Sequence, residues 1–429
     1  MSNFTVTLAS AFPSQLPARM QASLDRLPSA WTSYIVPTVL GYLLLCQALR
    51  FRREKAMRRK YGYPDRASLA RMTTTDAQMI ISDLSMYEFP YMTMASAQFG
   101  LFKTYGVETI SSLLLATRNL TDPIASIKRY EDTGVIIGEF LSNPPNSERA
   151  ISAISRMNFL HAKYISSGCI SNADLLYTLS VFITEPERFV RLYEWRHMND
   201  MERCAYGNFW KNIGDAMGIQ YEGFLSKAGE WRDGLDFAED ISRWAKAYEV
   251  VAFKPSAVSH EPAVTLVPML TYWLPWFAQR FAHECVHVLL GDRAREAFML
   301  PEPGIGATAL VYTSLAIRRF FLRHLSLPRL IPVTRHASSP NPDGRLQTEY
   351  SYGNFPYYVK PTFWKRWGPE GWAIWIAGGK LPGDEPEHYL SQGFNFWDLG
   401  PKNRMGRGKE EMGTDCKRMK AKGMGGCPF

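Results

Sequence analysis

The chain has 429 residues, 46% of them hydrophobic, which is enough apolar material for one large helical domain or for two or three average ones. Lysine and arginine outnumber acidic residues 49 to 41, but much of the net charge of +8 falls in two places, one near the N-terminus and one in the tail, so it reports where the protein sits and gives no nucleic-acid-binding signature. Six scattered cysteines (Cys46, Cys169, Cys204, Cys285, Cys416, Cys427) with no CxxC pair argue against a disulfide-stapled secreted domain and fit a reducing compartment.

Residues 31–49 carry no charge over about the length needed to cross a hydrocarbon core. Arg50, Arg52, Arg53, Lys55, Arg58, Arg59 and Lys60 follow, against Arg19 and Arg26 upstream. The positive-inside rule therefore predicts a single-pass protein with residues 1–30 lumenal, a transmembrane helix over 31–49, and a basic juxtamembrane segment over 50–72 leading into a cytosolic domain. A buried core helix with a basic cap is the competing reading. A signal peptide fits poorly, because the apolar run comes late and no small-residue cleavage site follows. Of two sequons, Asn3 would be lumenal and glycosylated, whereas Asn119 would be cytosolic and unmodified.

From 73 to 330 the apolar periodicity is helical, with breaks expected at Pro90, residues 119–123, Pro144 and Pro145, Pro186, and residues 301–306. No Rossmann fingerprint, Walker A loop, strand series or fixed repeat is present, so the expected class is all-α. Residues 316–325 set Ile317, Phe320, Phe321 and Leu325 against Arg318, Arg319 and Arg323, a pattern for a surface helix of the domain or for one lying on an anionic membrane. Residues 331–401 turn rich in Pro, Gly, Trp and Tyr and read as an irregular wrap packed by aromatics. Residues 402–429 are basic and Gly-rich and read as a flexible tail. Cys427 stands third from the end, so it is not a prenylation signal.

Two constellations can carry chemistry. His283, Glu284 and His287 form an H-E-x-x-H pattern in a helical segment, where the histidines share a face and Glu284 would act as base to a zinc-bound water. Its third ligand is poorly placed, with Glu296 in the same segment and Glu302 just past Pro301. The second is quieter. Arg129, Thr133, Ile136, Ile137 and Phe140 line one face of a helix, and Ile151, Ile154, Asn158, His161 and Ile165 line one face of the next. A buried imidazole needs a carbonyl, a carboxylate or a metal. An arginine on an apolar face needs an anion, either a protein carboxylate or a haem propionate, to which Thr133 would also donate.

The pattern of Arg129, Asp132 and Thr133 followed by F-L-His161 resembles the arginine, threonine and histidine set of the latex-clearing-protein type of rubber oxygenase. Across most of its length the chain is more similar to the fungal membrane-bound MpaB oxygenases of mycophenolic acid biosynthesis. That resemblance rests on EFPYMTMASAQFGLFKTYG, ISRMNFLH, NADLLYTL, YEWRHMNDMERCA, GNFWKNIGDAMGI, YYVKPTFWKRWGP and the closing CPF. It implies a globin-like helical haem domain over 73–330 holding haem b, with His161 as proximal iron ligand and Arg129 and Thr133 at the haem edge. It further implies an endoplasmic-reticulum enzyme that uses O2 to split a double bond in the prenyl tail of a lipophilic meroterpenoid, most plausibly a farnesylated phthalide. Rubber oxygenases place a glutamate base upstream of the arginine and a lysine beside the threonine. Here Asp132 holds the lysine's place and no upstream glutamate matches, so Asp132 or Glu139 would serve as acid or base. The rival readings are a zinc hydrolase and a haem-binding membrane protein without turnover.

Overall fold

In the computed structural model the described residues are 18–118, 123–334, 339–349 and 355–429, with side chains from 33 onward apart from those of 123 and 124. Asn3 and Asn119 lie outside them. Helix α1 (Ala18–Arg50) runs through the uncharged stretch and past its N-terminal end, and α2 (Arg52–Tyr61) carries the basic cluster. Most side chains of α1 between 33 and 45 are exposed. Its C-terminal end is not free: the Arg50 guanidinium lies 3.8 Å from the ring centroid of the fully buried Trp195, and Phe51 meets the same ring edge-on at 5.2 Å.

The domain proper begins with α3 (Arg66–Leu69) and α4 (Thr74–Asp83), followed by a π-helical turn over Leu84–Glu88. Then come α5 (Pro90–Thr104), α6 (Glu108–Ala116), α7 (Pro123–Ser142), α8 (Glu148–Ser166) and α9 (Asn172–Tyr193). After these follow α10 (Asp200–Met217), α11 (Gly234–Ala252), α12 (Ala257–Thr271), α13 (Trp276–Leu290), α14 (Asp292–Ala297) and α15 (Ile305–His324). Among the described residues there is no strand, only isolated bridges at Val107–Phe253 and Leu346–Phe394, so the all-α expectation holds. The core is built from helix pairs: α5 against α9, α10 against α11 and α4, and α7 against α8. The α10–α11 crossing is set by glycine, because a Cβ on Gly207 would stand 1.8 Å from the Gly234 carbonyl oxygen. Reciprocal caps fix two starts, Ser171 with Asp174 on α9 and Asn199 with Glu202 on α10.

Two expectations change. Pro90 opens α5 at its first turn, where a missing N–H costs nothing, but Pro186 lies inside α9 and does not break it. Tertiary packing overrides the local signal there: Pro186 is buried, and its neighbour Glu185 is paired with Lys103 of α5 at 2.9 Å. The tail is ordered. Beyond the short α16 (Phe363–Trp367) and α17 (Pro369–Ile376), residues Lys409–Lys422 form α18, which packs on α8 with Met412 and Met419 buried. Apart from Asp415, which faces α8, the charged residues of α18 are exposed, so composition masked an amphipathic helix whose buried face is two methionines. The chain end is held too, since Gly426 O accepts from both the amide (2.9 Å) and the hydroxyl (2.7 Å) of Thr74.

Candidate functional site: an open imidazole beside an arginine

The α7–α8 hairpin carries the site. Ser147 caps α8 by accepting from the amide of Ala150 at 3.2 Å. Arg149, in the first turn of α8, clasps Glu139 of α7 with two bonds, Nε to Oε2 at 2.7 Å and Nη2 to Oε1 at 2.6 Å. Glu139 is fully buried and its Oε2 also meets the Asn143 amide at 3.3 Å. This bidentate pair fixes the register of the helices that bear Arg129, Thr133 and His161.

One side of α7 is committed to the C-terminal wrap. The Asp132 carboxylate accepts from Lys128 Nζ, from the Tyr358 hydroxyl and from the Gly400 amide, the last at 2.8 Å. Burial, outweighing Lys128, raises the Asp132 pKa, and burial lowers that of Lys128. Glu131 is buried beside it and accepts from the Phe355 amide at 3.0 Å; burial pushes its pKa up to about 8, so it is protonated at neutral pH. Asp132 and Glu139 are both engaged within the protein. Each is enclosed by donors that belong to the scaffold.

The other side of α7 is only partly covered by the protein. Arg129, Thr133 and Ile137 are half-buried, and Gly134 is exposed in mid-helix, with nothing within 4 Å of where its Cβ would be. His161 lies across from them. The residue is half-buried, and its imidazole is desolvated. Its Nδ1 is buried and makes no hydrogen bond to the protein. Burial and, second, the positive charge of Arg129 lower the His161 pKa to about 4. The ring is therefore neutral and open, the state required of a metal ligand.

Arg129 has no carboxylate partner among the described residues. Its positive charge acts on the half-buried Tyr105, just past α5: burial raises the tyrosine pKa and Arg129 partly offsets that rise. The Thr133 hydroxyl donates to the carbonyl of Arg129 at 2.8 Å, inside its own helix. Arg129 is thus close enough to His161 for its charge to act on the ring, Thr133 stands one turn along the same helix as Arg129, and Tyr105, which no local pattern marks, lies beside Arg129. Asp132 and Glu139 are set into the supports. Arg156, also unmarked, is buried on α8 and donates to the carbonyls of Leu399, Arg404 and Arg407, binding the wrap to the helix that carries His161.

The H-E-x-x-H pattern lies on α13 as a helix, but no group of three or more His, Cys, Asp or Glu side chains among the described residues is placed to hold a metal. Glu284 is turned to another task, accepting from the Gly304 amide at 3.1 Å at the start of α15. Burial lowers the pKa of His283 and of His287.

An all-helical protein with an exposed apolar N-terminal helix, whose candidate site sets a neutral imidazole with an unbonded Nδ1 near an arginine that has no carboxylate partner among the described residues, is the class defined so far. The sequence comparisons give the family. Residues 115–320 match the model described as ER-bound oxygenase mpaB/B'/Rubber oxygenase, catalytic domain. The chain is 38% identical over 419 residues to ER-bound oxygenase mpaB' of Penicillium brevicompactum, covering 96% of this chain and 99% of that one. It is 38% identical over 394 residues to ER-bound oxygenase mpaB of the same organism, and 39% identical over 285 residues to that of Penicillium roqueforti (strain FM164). The chain belongs to the MpaB and rubber oxygenase family.

Proposed function

We propose that this protein is a membrane-bound, haem-dependent oxygenase that cleaves a carbon-carbon double bond in the prenyl side chain of a lipophilic meroterpenoid. The observation that carries the reading is His161, a desolvated imidazole kept neutral, with one nitrogen unbonded, beside an arginine that has no carboxylate partner among the described residues. These residues fit haem b. His161 would hold the iron, and Arg129, oriented by Tyr105, would pair with a propionate. Thr133 would add a hydroxyl once it turned from its own helix. No atom stands within 4 Å of where a Gly134 Cβ would be, so α7 offers an uncovered surface there.

Bound haem supplies redox-active iron with an open position for O2. The chain's own residues contribute the rest: burial keeps His161 unprotonated, Arg129 fixes the edge of the site, and the helical walls exclude water from an apolar substrate. The reaction balances without an added reductant, since one O2 and one C=C give two carbonyl groups. Support for the endoplasmic-reticulum membrane comes from the ER-bound relatives and from α1. The orientation that follows from the arginines after residue 49 puts the N-terminus in the lumen and the catalytic domain in the cytosol.

An absorption spectrum of the solubilised protein tests the cofactor. A Soret band is expected in the wild type and absent in His161→Ala of unchanged helicity; haem-free wild-type protein with stoichiometric zinc would reverse the reading in favour of H-E-x-x-H chemistry. Turnover of a farnesylated phenol under isotopically labelled O2 should put one labelled oxygen on each fragment. Haem-loaded protein that leaves the prenyl chain intact would instead be a non-catalytic haem-binding membrane protein.

A further inference from the structure

The surface around α15 has no protein covering. From 305 to 317 the helix carries no charged side chain, and its candidate span is only 11% buried. Ala307 and Val311 are its buried residues, whereas Ile305 is 89% exposed, Ile317 63% and Phe320 58%. Single exposed apolar residues are ordinary, but a contiguous helix face of them marks a surface meant to be covered. The packed neighbour α13 extends it, with Trp276 and Phe277 exposed at its start and Phe281 lying against Gly306.

This face is continuous with the helix read above as the membrane anchor. The Tyr42 hydroxyl donates to Leu325 O at 2.9 Å, Gln47 Nε2 meets His324 Nδ1 at 3.0 Å, and Arg53 Nη2 donates to Arg329 O at 2.6 Å. The C-terminal end of α15 therefore stands beside the cytosolic end of α1. Alongside, α2 exposes Arg52, Lys55, Arg58, Arg59 and Lys60, a charge set suited to anionic headgroups.

Although α15 is long and apolar enough to cross a bilayer, both its ends are tied to the same folded body. At the start the Glu284 carboxylate holds the Gly304 amide. At the far end Arg318 pairs with Glu194 at 2.8 Å and Arg323 donates to Trp195 O at 3.2 Å. A crossing helix would have to carry one of these attachments through the hydrocarbon.

We infer that α15, with the start of α13, lies in the cytoplasmic leaflet as a second membrane-contacting element, its free face on lipid acyl chains, so that the catalytic domain is seated on the bilayer and does not hang from α1 alone. The inference rests on the membrane reading of α1. Photocrosslinking of the full-length protein in microsomes separates the two. p-Benzoylphenylalanine is placed singly at Leu40 of α1, at Leu310 or Phe320 of α15, and at the exposed Glu230 of the α10–α11 loop. Phospholipid adducts are expected at positions 40, 310 and 320 and absent at 230, in protein of unchanged protease resistance. An adduct at 40 with none at 310 and 320 overturns the α15 seat while leaving the anchor. No lipid adduct at 40 overturns the anchor reading itself. Dimer-mass adducts at 310 and 320 would make this face a contact with a second copy, which also overturns the inference.

Discussion

Replacing Glu139 separates its two possible roles, a proton carrier or a clasp between α7 and α8. In the structure Arg149 gives it two charge-assisted bonds, at 2.7 and 2.6 Å, and the glutamate side chain is fully buried while that of Arg149 is 21% exposed. Removing one partner of a buried pair costs about 3–5 kcal/mol because the remaining charge is stranded. Here the guanidinium can recover some hydration through its exposed part, so Glu139→Leu is expected near the lower end, about 3 kcal/mol. Glu139→Gln keeps one acceptor and should cost about 2 kcal/mol. A double-mutant cycle with Arg149→Leu should return a coupling of roughly 2 kcal/mol. Chemical denaturation of the detergent-solubilised full chain, followed by tryptophan fluorescence, measures these values, and turnover is measured on the same preparations under native conditions. A Glu139→Gln protein of wild-type stability but without turnover, paired with an active Arg149→Leu protein, would refute the clasp and restore the carboxylate as acid or base.

Four further outcomes follow from the same geometry. The folded pKa of His161, about 4, lies below the unfolded 6.5, so its contribution to apoprotein stability is present above pH 6.5 and is lost as pH falls toward 4, by on the order of 3 kcal/mol; His161→Gln should flatten that part of a denaturation-midpoint curve. Glu131 has the opposite sense: its folded pKa is raised to about 8, so it destabilises progressively as pH rises from 4.5 to 8, and Glu131→Gln should gain stability over wild type at pH 8 in the same assay. Asp132→Asn leaves Lys128 buried without its counter-charge and should loosen the wrap at Tyr358 and Gly400, seen as faster proteolysis between 355 and 401; unchanged cleavage would contradict the account. Gly134→Ala should stabilise α7 by up to about 1 kcal/mol, because helix propensity rises and no atom stands in the way, whereas Gly134→Phe should lower haem occupancy in folded protein, read by the ratio of Soret to protein absorbance.

The legible part of the site was the part written within single helices. Arg129 and Thr133 stand one turn apart on α7, and His161 falls on the inner face of α8, so periodicity places all three before any tertiary contact is known. Asp132 and Glu139 share that local signature of polar groups on a largely apolar helix. What decides their roles lies elsewhere: Tyr358 is 226 residues from Asp132 and Gly400 is 268. Tyr105 was hidden for the same reason. The order of the tail was hidden by its glycines and charges, although Met412 and Met419 were visible, because nothing in the sequence says that α8 offers them a surface.

That surface explains why the open imidazole can exist. An unsatisfied buried polar atom costs about 1–3 kcal/mol, and a soft helix would rotate or fray to satisfy it. Helix α8 is prevented from doing so along its length: Arg149 locks its first turn to α7, Ser155 donates to Met412 O at 3.0 Å, Arg156 grips three carbonyls of the wrap, and Asn158 donates to Asp415 at 2.9 Å. Each tie lies before His161, and three of the four residues reach α18. The C-terminal segment, which composition reads as a flexible tail, therefore helps to hold the ring in its uncompensated state. A bound iron would return to the imidazole the partner that the scaffold withholds, so ligand binding and the order of residues 402–429 should be coupled in both directions. Disrupting α18 with Met419→Asp should weaken haem retention although no atom of α18 takes part in the site; full retention in a protein whose tail has become protease-sensitive would show that α8 needs no such support.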